Sequence, residues 1–166
     1  SPDNLVHIIY NGEIYGYQKL KDDLKNKYQF CTSSDTEVIL YAYLEYGKEF
    51  VDKIDGIFAM AIYDERVRKV YLFRDRIGVK PLYYYYKDGK FAFASELKAL
   101  TEMLEDSALE IDTMALYDYL FYQYVPEPKS LYKHIRKLRP AARLIFDTQE
   151  KRIIEADRYW NLFVNA

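Results

Sequence analysis

The sequence predicts an α+β fold of layered antiparallel sheets, on three observations. Strand-like runs fall in consecutive hairpins rather than alternating singly with helices. Helical spacing is confined to separate stretches between them. The run Gly56-Ile57-Phe58-Ala59-Met60-Ala61-Ile62 is apolar on both faces, so it requires cover on both sides.

Leu5 to Tyr10, rich in Val and Ile, reads as the first strand. Asn11-Gly12 is a turn signal, because both residues tolerate positive φ. Tyr17, Leu20 and Leu24 recur at helical spacing among lysines and aspartates, which predicts a short amphipathic helix. Ser34 followed by Glu37 is a capping-box pattern. It opens a helix carrying Val38, Ile39, Ala42 and Tyr46, which Gly47 stops. Phe50, Val51 and Ile54 suggest one further helical turn.

Ile57 to Asp64 and Val70 to Arg74 then predict strands about a turn at Glu65 to Lys69. Leu82 to Lys87 and Phe91 to Ala94 predict a hairpin across Asp88-Gly89. Ser95 is placed as the cap of a helix through Leu104, with Glu96 and Lys98 on its wet side. Glu105 to Glu110 is a polar break, where a domain boundary is expected. Beyond it Asp112 caps a helix to about Tyr122, Pro126 and Pro128 interrupt, and Arg143–Asp147 with Arg152–Ile154 form a small hairpin.

The composition suits an ordinary globular chain: 166 residues, half of them hydrophobic and 30% charged. Twenty-four Lys+Arg against 26 Asp+Glu leave a balance of −2, with no basic excess for nucleic acid and no cationic stripe for a membrane surface. No apolar run approaches the roughly 20 residues needed to cross a bilayer. The single cysteine, Cys31, excludes an internal disulfide and fits a reducing compartment, so the expected location is cytoplasmic. The 19 tyrosines are unusual, and many sit in strand-like runs where a ring packs while its hydroxyl reaches outward.

Few residues could carry chemistry. In Asn11-Gly12, a side-chain amide and a backbone N–H can aim at one spot. Such a pair forms an oxyanion hole, in which losing one donor costs about 2.7–4 kcal/mol of barrier. The same dipeptide also reads as a plain turn. Asp35 stands at a predicted helix start, where it either complements the helix dipole or grips the ammonium of a bound amino acid. Arg74-Asp75-Arg76-Ile77-Gly78-Val79-Lys80-Pro81 gathers charges at a tight turn, read as a structural ion network. Nothing adjacent to Cys31 would activate its thiol. His7 and His134 stand in no metal-ligand spacing, and no phosphate-cradling glycine loop occurs.

The order of these motifs resembles a known family. Val6-His7-Ile8-Ile9-Tyr10-Asn11-Gly12-Glu13-Ile14-Tyr15, Ser34-Asp35-Thr36-Glu37-Val38-Ile39-Leu40, Asp55 to Asp64, Arg74 to Tyr84 and Phe93 to Leu100 follow one another as in the glutaminase domain of glutamine-hydrolysing asparagine synthetases of the AsnB type. Tyr122 to Pro128 and Tyr159-Trp160 resemble the connector toward the synthetase domain. The resemblance implies a class II glutamine amidotransferase with the N-terminal-nucleophile (Ntn) hydrolase fold, two antiparallel sheets between helices. It implies that an N-terminal Cys attacks the glutamine amide with its own α-amino group as base, and that the released ammonia travels to the synthetase domain to convert aspartate to asparagine. By motif, Asn11 and Gly12 correspond to the oxyanion pair, Asp35 to the anchor of the glutamine α-amino group, and Glu13 to the pocket wall.

The family's Cys-Gly-Ile opening, its upstream His-Arg-Gly-Pro-Asp segment and its Ser-Gly-Gly-x-Asp-Ser motif are not found in this sequence, and Arg139-Pro140-Ala141-Ala142 stands where Pro-Gly-His is usual. The expectation is therefore an incomplete, internal piece of a longer protein. Residues 1–107 form the latter part of the glutaminase domain, and residues 108–166 a connector. The piece is expected to be inactive by itself, with Ser1 no substitute nucleophile. It should hold no cofactor, ATP and Mg belonging to the absent synthetase domain. Glutamine and that domain are the expected partners, and a homodimer through open sheet edges is admitted. The rival readings are a binding module without chemistry, an interaction scaffold, and an amidotransferase for another acceptor.

Overall fold

The computed structural model describes residues 1–162. Its elements are β1 (Val6–Tyr15), α1 (Tyr17–Leu24), α2 (Asp35–Tyr46), a 3₁₀ turn (Gly47–Lys53), β2 (Asp55–Asp64), β3 (Lys69–Arg74), β4 (Tyr83–Lys87), β5 (Lys90–Ala94), α3 (Leu97–Met103), a second 3₁₀ turn (Asp106–Ala108), α4 (Thr113–Tyr122), β6 (Ile135–Lys137), β7 (Ala142–Asp147) and β8 (Arg152–Arg158). Five strands pair antiparallel in the order β1-β2-β3-β7-β8, and three in the order β5-β4-β6. No described helix is long and apolar enough to cross a membrane.

Strand alternation sorts the side chains into layers. Phe58, Met60 and Ile62 of β2, with Tyr71, Phe73 and Ile145, face Leu20 and Leu24 of α1 and Val38, Ile39 and Ala42 of α2. The intervening residues Ala59, Ala61, Leu72 and Leu144 face the second sheet, where Tyr84, Phe91 and Phe93 pack on them. Tyr85 and Ile135 on the far side of that sheet cover Leu100 of α3. The order is helix, sheet, sheet, helix, as the doubly apolar β2 requires. Each fully buried side chain of this size contributes about 1.5–3 kcal/mol.

The chain first crosses from one sheet to the other in the loop between β3 and β4, and the charged motif holds it. Asp75 is fully buried: its Oδ1 accepts from the N–H of Ile77 (3.2 Å) and Val79 (2.9 Å), and its Oδ2 from that of Lys80 (3.0 Å). Arg74 donates to the carbonyls of Lys80, Gly78 and Leu138 and to Glu127 Oε1 at 2.6–2.8 Å. The structural reading of this motif therefore holds.

Two expectations are corrected. Asn11-Gly12 is not a turn, because β1 continues through it to Tyr15 in unbroken register with β2. Ser95 does not cap α3: Glu96 is the N-cap residue, with no side-chain hydrogen bond. The segment from residue 108 onward supplies β6 to one sheet and β7 and β8 to the other. The last four residues of that segment lie outside the described residues.

Candidate functional site

β1 is the outer strand of the five-stranded sheet, with one backbone edge free of strand pairing. In an antiparallel strand successive N–H groups point alternately to the two edges. Ile14 N–H donates to Asp35 Oδ2 at 3.2 Å and Val6 N–H to Ser1 Oγ at 2.9 Å, so the even-numbered residues face the open edge. Gly12 therefore aims its N–H to that edge as well, about 6.7 Å from that of Ile14 by the strand rise.

Gly12 is demanded by the backbone. A Cβ there would lie 2.1 Å from the Ile57 carbonyl oxygen and 2.7 Å from Phe58 Cα, and one at Gly56 would lie 2.2 Å from the Glu13 carbonyl. Two glycines let β1 and β2 close on one another where the candidate site begins.

Asp35 is the first residue of α2, whose N-cap Ser34 Oγ accepts from Thr36 N–H at 3.2 Å. Glu37 does not close the expected box. It reaches back instead to the N–H groups of Cys31 (2.8 Å) and Thr32 (2.7 Å), fixing the loop before the helix. The half-buried Asp35 carboxylate comes to the β1 edge, where Tyr10 Oη donates to its Oδ2 at 2.9 Å beside Ile14 N–H. Among the described residues nothing donates to Oδ1. Burial, then the hydrogen bond to Asp35, pushes the Tyr10 hydroxyl far above its ordinary range, so it remains a donor. Tyr10 was not singled out in the sequence, where it is one tyrosine among 19.

Asn11 and Glu13 lie on the opposite face of β1 from Tyr10 and Ile14, and both are exposed. The Asn11 amide donates to Ser95 Oγ at 3.4 Å, a long contact that joins the two sheets next to the open edge. Glu13 has no side-chain hydrogen bond among the described residues. Ser95 is thus a site neighbour rather than the cap its place after a strand suggested. The structure gathers Asn11, Gly12, Glu13 and Asp35 along one short stretch of β1. Along it stand donors at Asn11 and Gly12, and the Asp35 carboxylate held on Ile14 N–H, one strand repeat from Gly12.

The other nucleophile candidates stand apart. Cys31 is an exposed thiol in the loop before α2, and no hydrogen bond among the described residues reaches its sulfur. Ser1 folds back on the start of β1, its ammonium donating to the Val6 carbonyl at 2.7 Å. Val6 lies about 20 Å along the strand from Gly12. His7 sits at the surface beside Glu65, and His134 lies 4.0 Å from Glu110.

Residues 1–160 match a family model described as a glutamine amidotransferase domain. The chain is 42% identical over 142 residues to glutamine-hydrolyzing asparagine synthetase 1 of Bacillus subtilis strain 168, covering 85% of this chain and 22% of that protein. It is 40% identical over 158 residues to putative glutamine-hydrolyzing asparagine synthetase 2 of Methanocaldococcus jannaschii, covering 95% and 30%. The chain thus spans under a third of the length of these relatives. Glutamine phosphoribosylpyrophosphate amidotransferase from B. subtilis superposes with a TM-score of 0.63 at 21% identity, over 96% of this chain and 30% of that one. The layered arrangement is that of the Ntn hydrolases.

Proposed function

The chain belongs to the glutamine amidotransferase domain family, and from that premise we propose that its residues form the glutamine-holding side of a glutamine-hydrolysing asparagine synthetase. One observation carries the proposal: the Asp35 carboxylate is fixed at the open edge of β1 on Ile14 N–H, itself one strand repeat from Gly12 N–H, with Oδ1 uncommitted. In an extended glutamine the ammonium nitrogen and the side-chain carbonyl oxygen are about 6 Å apart. That span matches the repeat. Asp35 Oδ1 takes the ammonium, and the carbonyl oxygen turns to Gly12 N–H and the Asn11 amide. Attack at the amide carbon forms the new bond and moves an electron pair to that oxygen, which these donors hold as an oxyanion. The proton that the base took from the nucleophile passes to the amide nitrogen, so collapse expels ammonia, and water then hydrolyses the acyl group left on the nucleophile to release glutamate. Glu13 walls the pocket on the Asn11 face.

The nucleophile is taken to be an N-terminal cysteine with its own α-amino group as base, from outside these residues, because Cys31 sits in the loop before α2 and Ser1 meets the β1 edge only at Val6, about 20 Å from Gly12. Ammonia then serves the conversion of aspartate to asparagine in a synthetase part that uses ATP and Mg. The exposure of Met114, Tyr117, Leu120 and Phe121 on α4 suits a surface packed against that part.

Calorimetry with L-glutamine tests the reading. The wild-type chain binds saturably, Asp35→Ala loses binding with an unchanged circular dichroism spectrum, and neither releases ammonia. Ammonia release from the pure chain, or unaltered binding by Asp35→Ala, would refute it.

A further inference from the structure

At the other edge of the five-stranded sheet, about 19 Å from β1 by four strand spacings, lies a cleft of about 400 Å³ between β8 and β6. Pairing shows which side chains enter it. Tyr84 of β4 faces the space between the sheets and pairs with Arg136 of β6, so Arg136 faces the same space. Ala142 of β7 faces it from the other sheet and pairs with Arg158 of β8. Arg139, just beyond β6, lines the same cleft.

Two edge strands and the residue following one of them therefore bring three guanidinium groups to one mouth. The three arginines are exposed, and among the described residues none forms an ion pair or a side-chain hydrogen bond. The one carboxylate lining the cleft is already taken: Asp157 accepts from Arg143 at 3.1 and 3.3 Å, and Arg143 also binds Glu49 and Glu155. Lys137, at the back, is committed to the Val125 carbonyl. The floor is apolar, made by Leu138, Ala142, Ala156 and the Tyr84 ring. A chain with a net charge of −2 thus concentrates three uncommitted positive forks at one concavity.

We propose that this cleft binds a small anion carrying two or more linked phosphate groups. A guanidinium presents a planar fork that matches phosphate oxygens two at a time. A single carboxylate or orthophosphate satisfies one fork, whereas linked phosphates reach several at once. The half-buried Tyr84 hydroxyl, neighboured by Arg136 and Arg139, is a further donor at the floor.

Calorimetry of the whole chain at low salt tests this with sodium tripolyphosphate, ATP, orthophosphate and citrate. Tripolyphosphate and ATP bind at one site per chain. Equal affinities mean that the phosphates alone are read; tighter ATP means that the floor also takes the base. Arg136→Gln and Arg158→Gln each weaken both ligands about tenfold, the loss of a charge-assisted hydrogen bond, while Asp35→Ala changes neither. Both arginines are exposed, so both variants keep the wild-type melting temperature. Absence of saturable binding, citrate binding as tightly as tripolyphosphate, or variants binding as the wild type would overturn the proposal. Because this site lies apart from Asp35, failure here leaves the glutamine reading standing, and the converse holds.

Discussion

Asp75→Asn should be among the most damaging single-atom exchanges in this chain. The substitution keeps shape and volume, so no cavity term enters. The amide oxygen can stay at the Oδ1 position and keep the bonds from Ile77 and Val79. The amide nitrogen then replaces Oδ2 and faces the N–H of Lys80, donor against donor, at a fully buried site. A hydrogen bond to a charged acceptor is worth about 1.5–3 kcal/mol and a neutral one about 0.5–1.5, so one bond lost and two weakened cost about 4 kcal/mol. For a domain of this length each kcal/mol moves Tm by about 2–4 °C, which gives a fall of about 8–16 °C. Thermal melts followed by circular dichroism read it directly. A Tm within about 2 °C of the wild type would refute the claim that this carboxylate holds the crossing between the sheets.

Gly12→Ala places a methyl 2.1 Å from the Ile57 carbonyl and must part β1 from β2; a loss of about 1–3 kcal/mol is expected in denaturant titrations, together with loss of glutamine binding. Tyr10→Phe removes one of the two donors to Asp35 Oδ2, so glutamine affinity should fall about two- to tenfold by calorimetry and Tm by a few degrees. Burial, followed by hydrogen bonding to neighbours, raises the hydroxyl of Tyr43 above its ordinary value of 10.0. The folded state therefore keeps a proton that the unfolded chain releases, and stability is full below pH 10 and declines above it. Guanidinium midpoints should drop between about pH 8 and about pH 11, and the drop should be shallower in Tyr43→Phe.

Much of this architecture was readable from local pattern. The doubly apolar β2 called for a layer on each side, and the Asp88-Gly89 hairpin formed with both residues at positive φ, as its turn type requires. The failures came where a distant partner overrode a local signal. Asn11-Gly12 is a strong turn dipeptide, yet β2 offers Gly56 across from Ile14, and the two glycines, one on each strand, let the strand run on. Ser95 had the look of a cap, but its hydroxyl meets Asn11, 84 residues away in sequence. Strands β7 and β8 read as a separate hairpin because pairing between Phe73 and Arg143 leaves no local trace. Asp35 was legible as a carboxylate at a helix start. Its delivery to the β1 edge by Tyr10 and Ile14 was not, since neither residue type announces that contact.

In the proposed complex glutamine lies along the β1 edge between Gly12 and Asp35. Amide chemical shifts of the ¹⁵N-labelled chain, followed as L-glutamine is added, test it most directly. Saturable shifts are expected, centred on the Gly12 and Ile14 main-chain N–H and the Asn11 side-chain amide, all absent in Asp35→Ala. Shifts that gather elsewhere, or that persist in Asp35→Ala, would contradict it.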